Sequence, residues 1–195
     1  MFASLQDPAL IRLLIGGSVG VLPTDTLYGL VCCASDASAV EKLYKLKARE
    51  NKPGTIVAAS AEQLVSLGIK ARYLKAVESY LLEAVSVVIP CFELSYLHLG
   101  KGAIAVRVSV DKELNRLLLE TGPLLTTSAN LPDKDPATNI AEAQEYFGDK
   151  IDFYVDGGNL SNRKPSTIIR VVDDAVEVLR AGAVKIDEET GKVLK

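Results

Sequence analysis

The sequence predicts an α/β fold, with an open, twisted, mixed sheet that carries helices on its faces. Short apolar runs, many rich in β-branched residues, alternate with segments of helical periodicity along the whole chain. The last two predicted strands, 167–172 and 176–179, are joined by a short turn at Asp173-Asp174 and must therefore run antiparallel. A length of 195 residues suits one domain, so residues 1–195 are interpreted as a single domain.

Composition and charge narrow the class of protein. Hydrophobic residues make up 48% of the chain, and 22 basic side chains face 25 acidic ones, for a formal net charge of −3. This balance excludes a predominantly disordered chain and disfavours a broadly basic nucleic-acid binder. No apolar run approaches the roughly 20 residues of a membrane-spanning helix, and the N-terminus lacks a signal peptide. We therefore expect a cytoplasmic protein with no membrane partner.

Capping residues mark most predicted helix starts, at Asp7 (followed by Pro8), Ser38, Ser60 and Asp111. The first of these helices is expected to end at Gly16, because two glycines follow its apolar stripe. Apolar residues three and four apart predict two further helices, over residues 72–83 and 140–147.

Apolar runs bounded by turn residues predict the strands, which cover residues 19–22, 27–33, 55–59, 85–89, 103–110, 124–127, 151–155, 167–172 and 176–179. The polar stretch 128–139 contains two prolines and is predicted to be a loop.

The cysteines and the histidine indicate packing rather than chemistry. Cys32, Cys33 and Cys91 match neither a disulfide framework nor a C-x-x-C zinc motif, and their apolar neighbours favour reduced, buried thiols. His98 is the single histidine, which excludes a histidine-based triad or a multi-histidine metal site. We therefore predict no metal held by protein ligands.

Polar groups interrupt the apolar pattern at three places. Thr24-Asp25-Thr26 separates two strands, and a self-contained turn explains these residues as well as a binding site does. The run 126–130 follows a strand end, where α/β sheets bind ligands, although an ordinary polar loop is an equally good interpretation. Arg107 lies inside an apolar strand, where it must be ion-paired, exposed or bound to an anion.

Four cations, Lys45, Lys47, Arg49 and Lys52, crowd the end of a predicted helix. Favourable interaction with the helix dipole is one explanation. Lys47 and Arg49 are two residues apart, so they converge only if the chain turns there, as Pro53 favours. Converging lysine and arginine side chains suit a polyphosphate ligand.

Together these segments resemble the YrdC-like threonylcarbamoyl-AMP synthase family. The family's motifs P-T-[ED]-T-x-Y-G-L, K-x-R with a following K/N-P, a strand arginine, S-x-N, S-T and R-x-G occur here in that order, at Pro23 to Leu30, Lys47-Ala48-Arg49 with Lys52-Pro53, Arg107, Ser128-Ala129-Asn130, Ser166-Thr167 and Arg180-Ala181-Gly182. The match extends over residues 20–182. The resemblance implies a YrdC-like open, twisted, mixed sheet.

The resemblance also implies an activity. Family members form threonylcarbamoyl-AMP and pyrophosphate from L-threonine, bicarbonate or CO₂, and ATP with Mg²⁺, and a downstream threonylcarbamoyl transferase uses the product to modify tRNA. By resemblance, ATP lies at Lys47, Arg49, Lys52, Ser128, Asn130 and Arg180, with Lys47 and Arg49 as the catalytic charges. Threonine lies near Thr24, Thr26, Arg107, Thr126 and Ser166. The implied role of Arg107 is to hold the threonine carboxylate.

Two other interpretations remain open from the sequence. The family's P-G-P tripeptide is missing before the strand 85–89, which favours a non-catalytic module that binds tRNA or other double-stranded RNA. Such binding would weaken steeply with salt, and the net charge of −3 argues against it. The other is a related carbamoyl-adenylate-forming domain, similar to the YrdC-like domain of hydrogenase-maturation proteins, which are much longer chains.

Overall fold

The computed structural model describes residues 1–48, 52–173 and 175–194. The helices are α1 Pro8–Ile15, α2 Ala37–Leu46, α3 Ala61–Leu67, α4 Ala71–Ala76, α5 Glu78–Leu81, α6 Ser95–His98, α7 Lys112–Thr121 and α8 Ile140–Phe147, with a 3₁₀ turn at Gly148–Lys150. The strands are β1 Gly20–Pro23, β2 Tyr28–Cys33, β3 Thr55–Ala58, β4 Val85–Pro90, β5 Ala103–Val108, β6 Leu124–Ser128, β7 Phe153–Tyr154, β8 Thr167–Val172, β9 Ala175–Arg180, β10 Lys185–Ile186 and β11 Val193–Leu194.

The first nine strands form one mixed sheet in the order β7-β1-β2-β6-β3-β5-β4-β8-β9. Three neighbouring pairs are parallel, namely β1 with β7, β3 with β5, and β4 with β8, while the other neighbours are antiparallel. The last two strands of this sheet, β8 and β9, are antiparallel as predicted. The α/β class and the mixed sheet are therefore confirmed. A separate pair, β10 and β11, follows the sheet.

Two apolar clusters cover the sheet. The larger one packs β-branched residues of the central strands against α2 and the helices that follow it. The smaller one packs α1 and α7 together, through Leu10, Leu14, Leu114 and Leu117, all of which are essentially inaccessible to solvent. Burial on both sides of the sheet explains why the strands read as short, nearly continuous apolar runs.

Several predicted boundaries need correction. The first residue of α2 is preceded by Asp36, whose carboxylate accepts the amide protons of Ser38 and Ala39, so Asp36 and not Ser38 is the N-cap. The helix predicted over 72–83 is two short helices that break at Val77, whose φ of −121° is not helical. The strand predicted over 103–110 ends at Val108, because Ser109 and Asp111 form the turn that opens α7. Asp174, in the predicted turn, lies outside the described residues.

The other helix starts are confirmed. Asp7, Ser60 and Asp111 each accept a backbone amide proton in the first turn of the helix that follows. Within the described ranges, every helix is too short or too polar to cross a membrane.

Candidate active site

A polar cleft opens where β2, β3, β5 and β6 meet the start of β8 and the end of β9. Its volume is about 120 Å³, which is small beside the roughly 300–1,000 Å³ of sites that take drug-sized ligands. Its lining comes from distant parts of the chain and comprises Thr24, Thr26, Leu27, Tyr28, Gly29, Pro53, Gly54, Thr55, Arg107, Thr126, Thr127, Ser128, Pro165, Ser166, Ile168 and Arg180.

One side of the cleft, here called the Asp25 wall, consists of Thr24, Asp25, Thr26 and Arg107. The three N-terminal members form the turn between β1 and β2, where the Thr24 hydroxyl donates to the Leu27 carbonyl at 2.7 Å. The Thr26 hydroxyl lies 3.1 Å from the Thr24 oxygen, and Arg107 donates to Thr26 at 3.4 Å. Because Thr24 has already used its proton, Thr26 is the donor between the two hydroxyls.

The centre of the Asp25 wall is a buried ion pair. Arg107 NH1 lies 2.8 Å from Asp25 Oδ1, and the two side chains are only 3% and 2% exposed. Burial lowers the pKa of the Arg107 guanidinium, and the facing Asp25 carboxylate acts in the opposite direction. Apart from this ion pair, neither Asp25 oxygen has a hydrogen-bond partner in the described part of the chain, so the charge of the carboxylate is balanced by Arg107 alone there.

The opposite side, here called the Ser166 wall, consists of Ser86, Ser166 and Arg180. Arg180 Nε and NH2 donate to the Ser166 carbonyl at 3.2 and 2.7 Å, and NH2 also donates to the Ser166 hydroxyl at 3.1 Å. Behind them, the fully buried Ser86 hydroxyl on β4 lies 2.9 Å from the Ser166 hydroxyl. All three of these hydrogen bonds from Arg180 go to neutral oxygens of Ser166.

Glycines allow the backbone segments of the cleft to approach one another. A Cβ at Gly29 would lie 2.5 Å from the Thr126 hydroxyl, and one at Gly54 would lie 2.7 Å from the Thr126 carbonyl. A Cβ at Gly182 would lie 2.3 Å from the Pro165 carbonyl and 2.5 Å from the Ser166 carbonyl carbon. A side chain at Gly54 or Gly182 would require the backbone to move, and one at Gly29 would require the Thr126 side chain to move.

Hydrogen bonds connect the segment between β7 and Ser166 to the β1–β2 turn and the start of β2. Arg163 donates to the Thr24 carbonyl at 2.9 Å. The Tyr28 hydroxyl donates to the Gly158 carbonyl at 2.9 Å and accepts from the Gly157 amide at 2.7 Å. Burial raises the pKa of this phenol above its ordinary value, so it remains protonated and able to donate at neutral pH.

Lys47 lies just behind the cleft and does not line it. The chain turns there as predicted, since α2 ends at Leu46 and Ala48 has a left-handed φ of 46°. Lys47 Nζ donates to the Ser128 carbonyl at 3.0 Å, to Asn130 Oδ1 at 2.7 Å and to the Asn130 carbonyl. The Ser128 hydroxyl donates to the same Oδ1 at 2.7 Å. The lysine thereby links the end of α2 to the loop after β6.

The predicted site residues fall into three groups. The cleft brings together Thr24, Thr26, Arg107, Thr126, Ser128, Ser166 and Arg180. Lys47 and Asn130 contact Ser128 from behind, and the exposed Lys52 precedes Pro53 at the rim. Arg49 lies outside the described residues.

Sequence reasoning missed Asp25, Ser86 and Arg163 as members of the site. Asp25 was visible inside the first polar segment, and a carboxylate near a strand arginine was the signal to pair them. No local signal marks Ser86, which lies in an apolar run on β4.

His98 and the three cysteines are buried, as the sequence predicted. His98 Nδ1 accepts from the Gly102 amide, and burial raises the pKa of Cys33 to about 11.

Comparisons with known proteins find a matching family model and related proteins. The Sua5_yciO_yrdC family model, described as "Telomere recombination", matches residues 12–182. The threonylcarbamoyl-AMP synthase of Marinobacter nauticus is 34% identical over 87% of this chain and 96% of that protein.

Solved structures of P. abyssi Sua5 share the fold. A variant form has a TM-score of 0.82 at 24% identity and covers 94% of this chain and 60% of that one. The form complexed with L-threonine has a TM-score of 0.79 at 26% identity and covers 90% of this chain and 54% of that one. This chain thus spans little more than half the length of those proteins.

Proposed function

This chain belongs to the Sua5/YciO/YrdC family, and we propose that it is a threonylcarbamoyl-AMP synthase that uses L-threonine, bicarbonate or CO₂, and ATP. One observation carries the proposal. A single cleft is lined by all five residues predicted near threonine and by two residues predicted near ATP, Ser128 and Arg180. The names of the relatives support this enzyme rather than a non-catalytic RNA-binding module.

The cleft's size and chemistry fit the amino acid. A volume of about 120 Å³ suits a small polar molecule, so we assign the enclosed part to threonine and the open rim to the nucleotide. Arg107 on the Asp25 wall would receive the carboxylate, since guanidinium groups hold carboxylates with paired hydrogen bonds. Arg180, which is exposed at the other side, would contact the nucleotide.

In the proposed reaction, the substrates supply the nucleophile. The neutral threonine amine bonds to the carbon of CO₂ and releases a proton to solvent water, which makes a carbamate. A carbamate oxygen then bonds to the α-phosphorus of ATP as the bond to pyrophosphate breaks. The protein's part is to hold the reactants and to stabilise charge on the phosphates. Arg49, Lys52 and Arg180 are the proposed contacts, and Lys47, which is held by Ser128 and Asn130, adds its charge from behind the cleft.

Magnesium would enter as part of the ATP substrate. Across the described residues, no group of three His, Cys, Asp or Glu side chains lies close enough to hold a metal ion. The Asp25 carboxylate faces Arg107, so we assign the ion to the phosphate oxygens. A separate transferase would move the threonylcarbamoyl group of the product to tRNA. We also propose a cytoplasmic location and a single domain over residues 1–195.

The decisive experiment measures pyrophosphate release by the purified protein with ATP, magnesium, bicarbonate and L-threonine. We expect release to depend on both threonine and bicarbonate, and mass spectrometry to detect threonylcarbamoyl-AMP. Omission of each component provides the control. Release that is no greater with threonine than without it would refute the proposal.

A further inference from the structure

The hydrogen bonds of the Ser166 wall determine which of its two serine hydroxyls is the donor. Ser86 is completely buried on β4, and Ser166 is its only hydrogen-bond partner in the described chain, at 2.9 Å between the two oxygens. A serine hydroxyl has one proton to donate and two lone pairs to accept with. If Ser166 were the donor in this pair, the Ser86 proton would be buried without an acceptor, which is costly.

Ser86 is therefore the donor, and this fixes the state of Ser166. The Ser166 oxygen already accepts from Arg180 NH2 at 3.1 Å, so the bond from Ser86 fills its second lone pair. The proton of Ser166 then has no acceptor within its wall. Because Ser166 lines the cleft, that proton is available to a bound ligand.

A hydroxyl that can only donate selects a group that can only accept. Of the three polar groups of threonine, the ammonium only donates, the side-chain hydroxyl does both, and the carboxylate only accepts. We propose that Ser86 is a positioning residue, whose hydroxyl commits Ser166 to donate a hydrogen bond to the carboxylate of the amino-acid substrate. This inference rests on the proposed use of threonine and extends it to a residue that never touches the substrate.

The test compares Ser86→Ala with Ser86→Thr, which keeps the hydroxyl. Calorimetry measures the binding of L-threonine alone, and the pyrophosphate assay gives KM for threonine and for ATP. We expect Ser86→Ala to weaken threonine binding by about two- to tenfold, the scale of one hydrogen bond, with KM for ATP unchanged. Ser86→Thr should restore most of the affinity.

A control variant and a control ligand separate positioning from a structural role. Ser109→Ala removes another buried hydroxyl, which among the described residues bonds only to the backbone of Asp111, and it should leave both KM values unchanged. L-Threoninol lacks the carboxylate, so its affinity should not differ between wild type and Ser86→Ala. A melting temperature within a few degrees of wild type shows that Ser86→Ala is folded.

Each outcome has a distinct meaning. Unchanged threonine affinity in folded Ser86→Ala overturns the inference, as does a rise in both KM values together or a failure of Ser86→Thr to recover. Wild-type protein that binds threonine but releases no pyrophosphate refutes the proposed function and leaves the Ser86 comparison valid. Wild-type protein that binds no threonine overturns both.

Discussion

The two walls of the cleft hold their arginines in opposite ways. The Asp25 wall faces Arg107 with a buried carboxylate at 2.8 Å, whereas the Ser166 wall binds Arg180 through a neutral carbonyl and hydroxyl. The hydroxyl protons also differ, because Thr24 donates to the Leu27 carbonyl and Thr26 to the Thr24 hydroxyl, whereas the inferred Ser166 proton is left for a ligand. The difference predicts how strongly the loss of one partner destabilises the fold at each wall. Loss of a partner leaves an uncompensated buried charge in the first wall and only an unfilled lone pair in the second.

The largest expected effect is on the Asp25 wall. Asp25→Ala should lower the free energy of unfolding by about 3–5 kcal/mol, because it leaves the buried Arg107 charge without its partner. Urea denaturation measures the change. The double variant Asp25→Ala/Arg107→Met removes both charges and should recover most of the loss. A single variant within about 1 kcal/mol of wild type would contradict the buried pair.

Arg180→Ala, on the Ser166 wall, should lower activity much more than stability. Arg180 is exposed, so its removal should change stability by less than about 1 kcal/mol, while turnover falls about 100-fold as one charged donor is lost. Arg170→Ala is a matched control, since Arg170 is an exposed arginine on β8 that pairs with Glu177 away from the cleft lining. Equal losses of activity in the two variants would count against the role of Arg180.

A smaller effect is expected from the hydroxyl that touches Arg107. Thr26→Val keeps the shape of the side chain but removes the acceptor of the 3.4 Å bond from Arg107, and should cost about 1 kcal/mol of stability. Thermal melting monitored by circular dichroism measures it. Because Thr26 lines the cleft, threonine binding is measured as well, and Thr121→Val at the end of α7 is the control for that measurement. If Thr26→Val were as costly as Asp25→Ala, the charge would not be what distinguishes this wall.

The smallest expected effect is on the labelling rate of the buried cysteines of β2, the strand that follows the turn of the Asp25 wall. Burial raises the pKa of Cys33 to about 11 and also raises the pKa of Cys32, so native wild-type protein should show almost no labelling by a thiol reagent at pH 8. Asp25→Ala should increase the labelling rate, because it opens the fold more often, and Ser86→Ala should not. Rapid labelling of native wild type would contradict the buried state of these cysteines.

Local chemistry explains which parts of the fold were predictable from the sequence. Caps such as Asp7 and Ser60 act within one helical turn, and the strands are short apolar runs, so neighbouring residues identify them. The break at Val77 and the exact cap of α2 depend on how short segments meet the sheet, which the apolar spacing of residues 72–83 does not report. The short helix α6 and the pair β10–β11 carry no such pattern and were missed.

The candidate site was predictable only where its members lie in recognisable segments. Thr24, Thr26 and Ser166 were named from motifs, and they line one cleft. Ser86 joins through β4, which pairs in parallel with β8 and so brings its side chain beneath Ser166. That contact spans 80 positions in the chain, and a single sequence gives no measure of such pairings.

The bond from Arg163 to Thr24 joins positions 139 residues apart. The Asp25 wall is complete in the chain at Arg107, and the Ser166 wall is complete only at Arg180. During synthesis on the ribosome, the first wall would emerge long before the second. A nascent chain therefore has no complete cleft until β9 has left the exit tunnel and paired with β8, and premature termination before that strand yields a protein without the pocket.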